Sequence, residues 1–365
     1  FRLWANSPLC DADRIDTFYQ LQQLAFLGWL MNGDSFALMP MRHDTGMPYD
    51  LRVRVIEADR VCSPNLMNRL EPTTVQGYAV HRIMNGVETD KTGAVKAYWV
   101  CNRHPGSVLN TEPMEWIRVE AFGEKTGRPN ILHVMTRERA GQVRGVPLLS
   151  PVLEVLKQLG RYTEAELSAA VITAAFTVFI EKEEAGAPPP IGEIVPDPLK
   201  LPTTDSTNIE LAPGAIIDLN PGEKIETASP NRPNAKFEAF YDAMVKQIGT
   251  ALEIPPEVLH KAFNSNYSAA RGALNEFWRV CDMNRGWFVE KFCQPIYVAW
   301  FSEAVARGRI NAPGFFNDPL TAQAYTNCRW NGPARTNLNP VQEVEAAERR
   351  VTAGFSTAEE ETAQM

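Results

Sequence analysis

The residues best suited to chemistry are a thiol and an imidazole three positions apart, Cys101 and His104. A nucleophilic cysteine needs an imidazole within hydrogen-bond reach and a third group that orients it. A turn over these positions would bring the two side chains together, but the sequence offers no candidate donors for an oxyanion hole. A plain loop is the simpler interpretation, and a cysteine- or metal-dependent enzyme on a mixed α/β domain is the alternative function.

Other candidate ligands for a metal or cofactor are scattered along the chain. None of the six cysteines forms a Cys-x-x-Cys pair, so they indicate reduced thiols of a cytosolic compartment. The histidines are equally dispersed, which disfavours a zinc cluster; they are His43, His81, His104, His133 and His260. Gly123 and Gly127 are not followed by the lysine of a phosphate loop. We expect no cofactor.

The segment 137–145, Arg-Glu-Arg-Ala-Gly-Gln-Val-Arg-Gly, is a candidate basic patch. It lacks the interleaved aromatic residues of single-strand binding sites, so a solvated loop or a subunit contact is favoured. The whole chain carries a net charge of -8 over 365 residues. That argues against tight, phosphate-neutralising DNA binding, though not against a protein past which DNA slides.

Length and termini give further expectations. The chain is long enough for about two domains. Its most apolar run, residues 169–180, is shorter than the roughly 18 residues of a membrane span. Because it begins with Phe1 and has no charged-then-apolar leader, we expect a processed or trimmed product without a signal peptide.

Residues 1–147 predict the mixed part of an α+β fold. A first helix has apolar members from Ile15 to Leu27, and Asp11 or Asp13 is the expected cap. Strands are predicted at 35–41, 51–55, 78–84, 97–100 and 133–135, with a hairpin turn at Asn85-Gly86. A helix follows over 147–178, and its last part, apolar all round, is expected to be buried.

The segment 181–233 differs in composition from its surroundings. It holds ten prolines, ten acidic and four basic residues. This composition is typical of an exposed interaction module or a flexible linker. Residues 211–217 predict a strand and a turn, which favours a partly ordered module.

Two helical patterns around a polar loop organise the rest of the chain. The first occupies 234–252, with Asn234 as the expected cap and Pro255-Pro256 as the end. The second runs over 268–309, where Pro295 is expected to kink or divide it. Such a long helix pair is more often a scaffold than a catalytic site. After 310–340, a charged helix is predicted from 341, with fraying over 358–365.

Across nearly its whole length the sequence resembles the portal proteins of lambda-like tailed bacteriophages. The matching segments, in order, are 28–36, 56–60, 85–90 with 97–98 and 104–105, 139–151, 211–223, 266–271 and 330–333 through 339–340. No one segment suffices alone, but their order and spacing are specific.

The resemblance implies a ring of about twelve subunits at one capsid vertex, through which double-stranded DNA enters and leaves. It implies no catalytic centre. The implied parts are a wing (1–147), a helix leading to the stem (148–180), a clip (181–233), a stem helix (234–252), a tunnel loop (253–267), a long channel-side helix (268–309), a wing return (310–340) and the start of a crown helix (341–365).

The resemblance also implies the partners and the location. Besides further copies of the chain and DNA, the partners would be the terminase large subunit, a head-completion or tail connector protein, and the major capsid and scaffold proteins. There would be no membrane partner. The chain would belong to the virion and be assembled in the host cytoplasm.

Three groups of candidate site residues follow from this arrangement. The tunnel-loop candidates for DNA contact are Lys261, Asn264, Ser265, Asn266, Tyr267 and Arg271. The subunit-interface candidates are Arg139, Gln142, Arg144, Trp278 and Trp287. The clip docking candidates are Glu181, Glu183, Glu184, Glu193 and Asp197. Besides the enzyme, a monomeric adaptor or scaffold module in phage assembly remains as an alternative.

Overall fold

The computed structural model describes residues 1–109, 112–175, 178–180, 216–218, 236–261, 267–332 and 340–364. The chain divides into two compact units, one of Phe1–Ser150 with Arg271–Met365 and one of Pro151–Ala270. The predicted α+β class is confirmed.

The described elements follow in chain order. In the N-terminal part they are α1 (Arg2–Ala5), α2 (Phe18–Asn32), β1 (Asp34–Leu38), β2 (Arg54–Ile56), β3 (Thr73–Val75), β4 (Tyr78–Val80), β5 (Arg82–Met84), β6 (Val87–Thr89), β7 (Val95–Cys101), β8 (Trp116–Glu120) and β9 (Ile131–Met135). Later elements are α3 (Leu153–Ala175), β10 (Val178–Ile180), β11 (Ile216–Asp218), α4 (Phe237–Leu252), α5 (Pro256–His260), α6 (Tyr267–Phe288), a π-helical turn (Val289–Cys293), α7 (Gln294–Ala306), α8 (Pro319–Thr326), α9 (Pro340–Thr352) and α10 (Ala358–Gln364).

Small antiparallel sheets form the β part of the first unit. One sheet has the order β2-β1-β9, another has the order β5-β6-β7-β8, and β3 pairs with β4. The predicted hairpin at Asn85-Gly86 joins β5 to β6, and both residues have positive φ angles, 46° and 82°. This is the backbone that a two-residue type I′ turn requires, and the prediction is confirmed.

The helix α2 begins later than predicted, and Thr17 rather than Asp11 or Asp13 precedes it. The Thr17 N–H donates to Gln20 Oε1 at 2.8 Å, which satisfies one backbone group at the helix start. Asp11 instead accepts hydrogen bonds from the N–H groups of Asp13, Ile15 and Asp16, and so holds the loop before the helix. Ile15 is an exposed loop residue, so the predicted helical role is wrong for it.

The main core of the first unit lies between α2 and the second half of the long helix. Phe18 stacks on Phe292 with ring centroids 6.0 Å apart, and Trp29 meets Trp287 at 4.6 Å. The Phe1 ring meets the Trp300 ring at 5.4 Å. Aromatic contacts of this kind combine large buried area with specific geometry.

The predicted long helix over 268–309 is confirmed, and so is its division near Pro295. The π-helical turn Val289–Cys293 directly precedes α7, whose first turn contains Pro295. Proline has no N–H and its ring clashes with the carbonyl four residues earlier. The wider turn therefore lies where the regular hydrogen bonding is interrupted.

An ion-pair cluster joins α7 to the loop before β2. Glu303 accepts hydrogen bonds from the backbone N–H groups of Asp50 at 2.5 Å and Leu51 at 3.0 Å. Its neighbour on the helix, Arg307, lies 2.7 Å from Glu303 and 2.5 Å from Asp50. Arg52, within the predicted strand 51–55, is buried, and its guanidinium donates to the carbonyls of Tyr49 and Leu51.

The second unit contains α3, α4 and α5 and the parallel pair β10–β11. Tyr162 on α3 stacks on Phe237 of α4 with centroids 5.6 Å apart. The predicted burial of the end of α3 is wrong where its side chains are described: Leu167 and Val171 are exposed. The contacts with α4 cover one stripe of the helix and leave these residues uncovered.

The C-terminal residues form a helix where fraying was predicted. Arg350 of α9 donates to both carboxylate oxygens of Glu361 on α10, at 2.9 and 2.6 Å. Arg329 lies 2.5 Å from Glu360. The first pair secures α10 against α9, and the second secures it against the segment after α8; such charge pairing stabilises an acidic helix.

Candidate functional site

The predicted tunnel loop begins with an ordered reversal after α4. Glu253 has a φ of 57°, the left-handed conformation that ends many helices. The Ile254 N–H donates back to the Gly249 carbonyl at 2.8 Å. The chain then forms α5, within a segment predicted as a loop, and a second left-handed residue, Lys261 with a φ of 52°, ends it.

Gly249 permits this reversal to pack closely. A Cβ atom at this position would lie 2.6 Å from the Ile254 carbonyl oxygen and 2.9 Å from Leu259 Cδ1. Real Cβ atoms do not approach a backbone oxygen so closely. The absence of a side chain at Gly249 therefore lets the segment after α4 fold back on the helix.

A side-chain contact reinforces the fold of α5 against α4. His260 Nε2 lies 3.7 Å from Asp242 Oδ1, and the ring centroids of His260 and Tyr241 are 6.4 Å apart. Both contacts join the last turn of α5 to the middle of α4. The reversal thus gives the tunnel-loop segment a structured base within the second unit.

The predicted DNA contacts are described only in part. Lys261 is exposed at the end of α5 in the second unit, and Arg271 is exposed on α6 in the first unit. Tyr267 begins α6, although its side-chain environment is outside the description. Asn264, Ser265 and Asn266 lie outside the described residues. The role of these six candidates in DNA contact stays a prediction.

Arg144, predicted at a subunit interface, is engaged in its own chain by Asp34. The guanidinium donates from Nε to Asp34 Oδ2 at 2.5 Å and from Nη2 to Oδ1 at 3.0 Å. The remaining hydrogen bonds go to the carbonyls of Ala58 at 2.9 Å, Val61 at 2.7 Å and Asn85 at 2.8 Å. One side chain therefore ties the 139–145 loop to β1 and to two other loops.

His133 completes the site around Asp34. Its Nε2 lies 3.3 Å from Asp34 Oδ2, and Tyr98 Oη lies 3.4 Å from its Nδ1. Burial lowers the pKa of His133, and the bond to Asp34 does not reverse that shift. Burial raises the pKa of Tyr98 to about 12. A neutral imidazole that donates to Asp34 and accepts from Tyr98 fits these positions.

The carboxylate of Asp34 stays ionised at this buried position. Burial alone would raise its pKa, but the hydrogen bonds from His133 and Arg144 outweigh it, so the pKa lies below its ordinary value. The backbone N–H of Gly145 adds a bond at 3.1 Å. The buried charge is therefore paired and hydrogen-bonded, as stability requires.

Two glycines allow the end of the 139–145 loop to cross the end of α2. A Cβ at Gly145 would lie 1.7 Å from the Gly33 carbonyl oxygen, and a Cβ at Gly33 would lie 2.4 Å from the Val146 carbonyl carbon. Gly33 also has a left-handed φ of 82°. The backbones meet here at a distance that no other residue type permits.

The other interface candidates differ in their surroundings. Gln142 binds within its own loop, accepting from the Glu138 N–H at 2.9 Å and donating to the Arg144 carbonyl at 2.8 Å. Trp287 packs on Trp29, as described above. Arg139 is exposed, and Trp278 is partly buried. Their contact with a neighbouring subunit stays a prediction. The clip candidates Glu181, Glu183, Glu184, Glu193 and Asp197 lie outside the described residues.

The thiol and imidazole of the enzyme alternative have separate partners. Cys101 is buried and its Sγ lies 3.6 Å from Asn102 Oδ1. His104 Nε2 lies 3.3 Å from Asp59 Oδ2, and its Nδ1 accepts from the Gly106 N–H at 3.0 Å. Burial raises the pKa of two further thiols, Cys10 and Cys293, to about 12. These environments favour structural cysteines over activated nucleophiles.

The described residues contain neither a metal-type cluster nor a membrane-spanning helix. In that part of the chain no group of three His, Cys, Asp or Glu side chains is placed to hold a metal ion. None of the described helices combines the length and apolarity that crossing a bilayer requires.

The buried charge clusters are the residues that sequence reasoning missed. Glu88 is buried and pairs with Arg118 at 2.8 and 2.9 Å, while Trp99 Nε1 donates to it at 3.1 Å. Asp34 and Glu303 are similar cases. No local spacing distinguishes them from exposed acids, because their partners come from distant strands and loops.

Comparisons with known proteins point to one family. The family described as "Phage portal protein, lambda family" matches residues 1–285. Portal protein B of Escherichia phage lambda is 23% identical over 384 aligned positions, which cover 99% of this chain and 68% of that protein. The portal protein of Escherichia phage N15 is 22% identical over the same shares of both chains.

Proposed function

The chain belongs to the lambda family of phage portal proteins, and from that premise we propose that residues 253–267 line the narrow part of its DNA channel. Membership gives the general function: DNA passes through an oligomeric ring of such subunits at a vertex of the capsid. The chain is a component of the virion, and its family is non-enzymatic. The observation that carries this conclusion is the match over residues 1–285.

The channel proposal is supported by the ordered reversal after α4. The segment has a folded base, formed by the close approach at Gly249 and the left-handed residue Glu253. It ends in the described residues at the exposed Lys261. On the other side of the segment, α6 carries the exposed Arg271. A few cations among polar side chains contact phosphates without reading bases. Such contacts suit a duplex that must keep moving.

The charge of the whole chain agrees with a channel that does not bind DNA tightly. With a net charge of -8 on each copy, a ring repels phosphates over most of its surface. Tight binding would require many neutralising lysines and arginines. The proposed contacts at Lys261 and Arg271 are therefore local exceptions in an acidic assembly.

The finer assignments belong to the same proposal. The ring contains about twelve copies, an arrangement in which every subunit buries two different faces. The acidic, proline-rich segment 181–233 forms the clip, where terminase and then the head-completion protein dock; its composition supports this role. The names wing, stem and crown apply to the ranges given above.

A DNA-packaging assay tests the channel proposal. The variant Asn266→Asp with Arg271→Glu places negative charge beside the passing phosphates, so we expect less DNA packaged and less retained. Lys125→Glu is the matched control, because it reverses a charge on an exposed loop between β8 and β9. Unchanged packaging and retention in the double variant would contradict the channel assignment and leave the family function intact.

A further inference from the structure

The helix α2 has an exposed apolar face. Phe18, Leu21, Ala25 and Trp29 are buried on one side. On the other side, Leu24, Leu27 and Met31 are 46%, 48% and 61% exposed. Their spacing places these three side chains in a single stripe along the helix. None of the helix residues 18–32 is charged. A helix that is apolar all round normally has both sides covered.

Further exposed apolar side chains follow the 139–145 loop, in a segment that meets the end of α2. The Leu148 N–H donates to the Leu30 carbonyl at 3.2 Å, which sets the segment after the loop against the end of α2. Val146, Leu148 and Leu149 are themselves exposed. We call the combined surface the α2 face; it consists of Leu24, Leu27, Met31, Val146, Leu148 and Leu149.

The α2 face differs from the exposed apolar positions of α9. On α9, the exposed Val341 and Val344 are accompanied by the exposed charged residues Glu345 and Glu348. The exposed polar members of α2 are uncharged, Gln20, Gln23 and Asn32. Depletion of charge and enrichment in methionine distinguish the centre of a protein–protein interface, and contiguous apolar patches mark interaction sites.

Contacts within the single chain hold the α2 face in a fixed conformation. Arg144 and Asp34 fix the 139–145 loop, which Val146 follows directly, and Gly33 and Gly145 allow its close crossing over α2. Behind the stripe, Trp29 packs on Trp287. A rigid surface loses little conformational entropy on binding, which favours stable association.

We infer that the α2 face packs against a second copy of this chain in the ring. The inference rests on the proposed function, since the ring is the assembly that family membership implies. In a ring the contact is heterologous, so the α2 face of one copy meets a different surface of its neighbour. The uncharged, apolar surface fits a permanent neighbour better than DNA, whose phosphates require cations.

Site-specific photo-cross-linking of the full chain tests the inference directly. A benzophenone amino acid replaces Leu27 in assembled particles, with the same replacement at Lys125 as the control. We expect a covalent dimer of the chain from position 27 after irradiation and none from position 125. A position 27 that stays unlinked in intact rings, or links only to the capsid protein, would overturn the inference.

A charge substitution gives an independent measurement. Leu27→Glu buries a carboxylate in the contact, so the ring fraction in native mass spectrometry should fall by about tenfold or more, the equivalent of about 1.4 kcal/mol. Leu320→Glu, at an exposed leucine of α8, is the matched control. Because Leu27 is half exposed, thermal unfolding of the monomer should not change.

The two possible failures are distinguishable. If Leu27→Glu assembles as efficiently as the natural chain, the α2 face is not the contact, although the ring and the proposed function stand. If the natural chain itself forms no ring under packaging conditions, the ring assembly fails and the inference fails with it.

Discussion

Arg144 and Asp34, which are 110 positions apart in the sequence, form a bidentate ion pair with N–O distances of 2.5 and 3.0 Å. The carboxylate is almost wholly buried, whereas the guanidinium is one-fifth exposed. Three backbone carbonyls occupy the other donors of Arg144. The pair therefore joins the 139–145 loop to the β2-β1-β9 sheet, and the α2 face is built on that connection.

Arg144→Ala should destabilise the first unit by about 3 kcal/mol, because it leaves the Asp34 charge buried without its main partner. Urea denaturation of the full chain, followed by tryptophan fluorescence, measures the loss. The control Arg139→Ala removes an exposed arginine of the same loop and should change the stability by less than about 0.5 kcal/mol. Equal effects of the two substitutions would show that the Asp34 pair does not hold the loop.

The stability of the first unit should fall as the pH drops below about 6.5, the ordinary pKa of histidine. Burial lowers the pKa of His133 in the folded chain, so the unfolded chain takes up this proton first as the pH falls. Folding stability therefore decreases as the pH falls through that window. The lowered pKa of Asp34 predicts a further loss below its ordinary value of 3.8.

His133→Gln tests the upper part of this pH dependence. Glutamine keeps a donor toward Asp34 but does not titrate, so the stability difference between pH 7 and pH 5.5 should shrink relative to the natural chain. Denaturation midpoints across that range give the comparison, and His43→Gln, at an exposed histidine, is the control. A His133→Gln curve parallel to the natural one would contradict the buried neutral imidazole.

Gly249→Ala should disrupt the reversal that carries the tunnel-loop segment. Its new methyl group would lie 2.6 Å from a backbone oxygen, and relief of such overlap costs about 1–3 kcal/mol. Hydrogen exchange of the backbone amides at 254 and 257–261 should become faster. Gly272→Ala, where nothing lies within 4 Å, is the matched control and should leave exchange unchanged or slower. Equal exchange rates in both variants would contradict the structural role assigned to Gly249.

Local rules in the sequence predict the elements whose cause is local. Asn85-Gly86 favours a tight turn by its own backbone preferences, and the hairpin is present. Pro295 disturbs helical hydrogen bonding wherever it stands, and the π-helical turn lies beside it. The start of α2 was misplaced because Asp11, a good cap by type, is engaged by the loop before the helix.

The site residues depend on tertiary contacts that no local pattern contains. Arg144 stands out in the sequence as part of a basic run, which favours a surface role. Its partner Asp34 follows an ordinary Asn-Gly turn, and only the folding of β1 beside the 139–145 loop brings the two together. Glu88 and Arg118 show the same limit, since β6 and β8, which lie on either side of β7, supply the two members of the pair.

The assembled state of the full chain is the most direct test of the account. Native mass spectrometry with averaged electron images along the symmetry axis gives the number of copies and the presence of a central opening. The account predicts a closed ring of about twelve subunits around a channel. A compact dimer without an opening, or a chain that stays monomeric under packaging conditions, would contradict it.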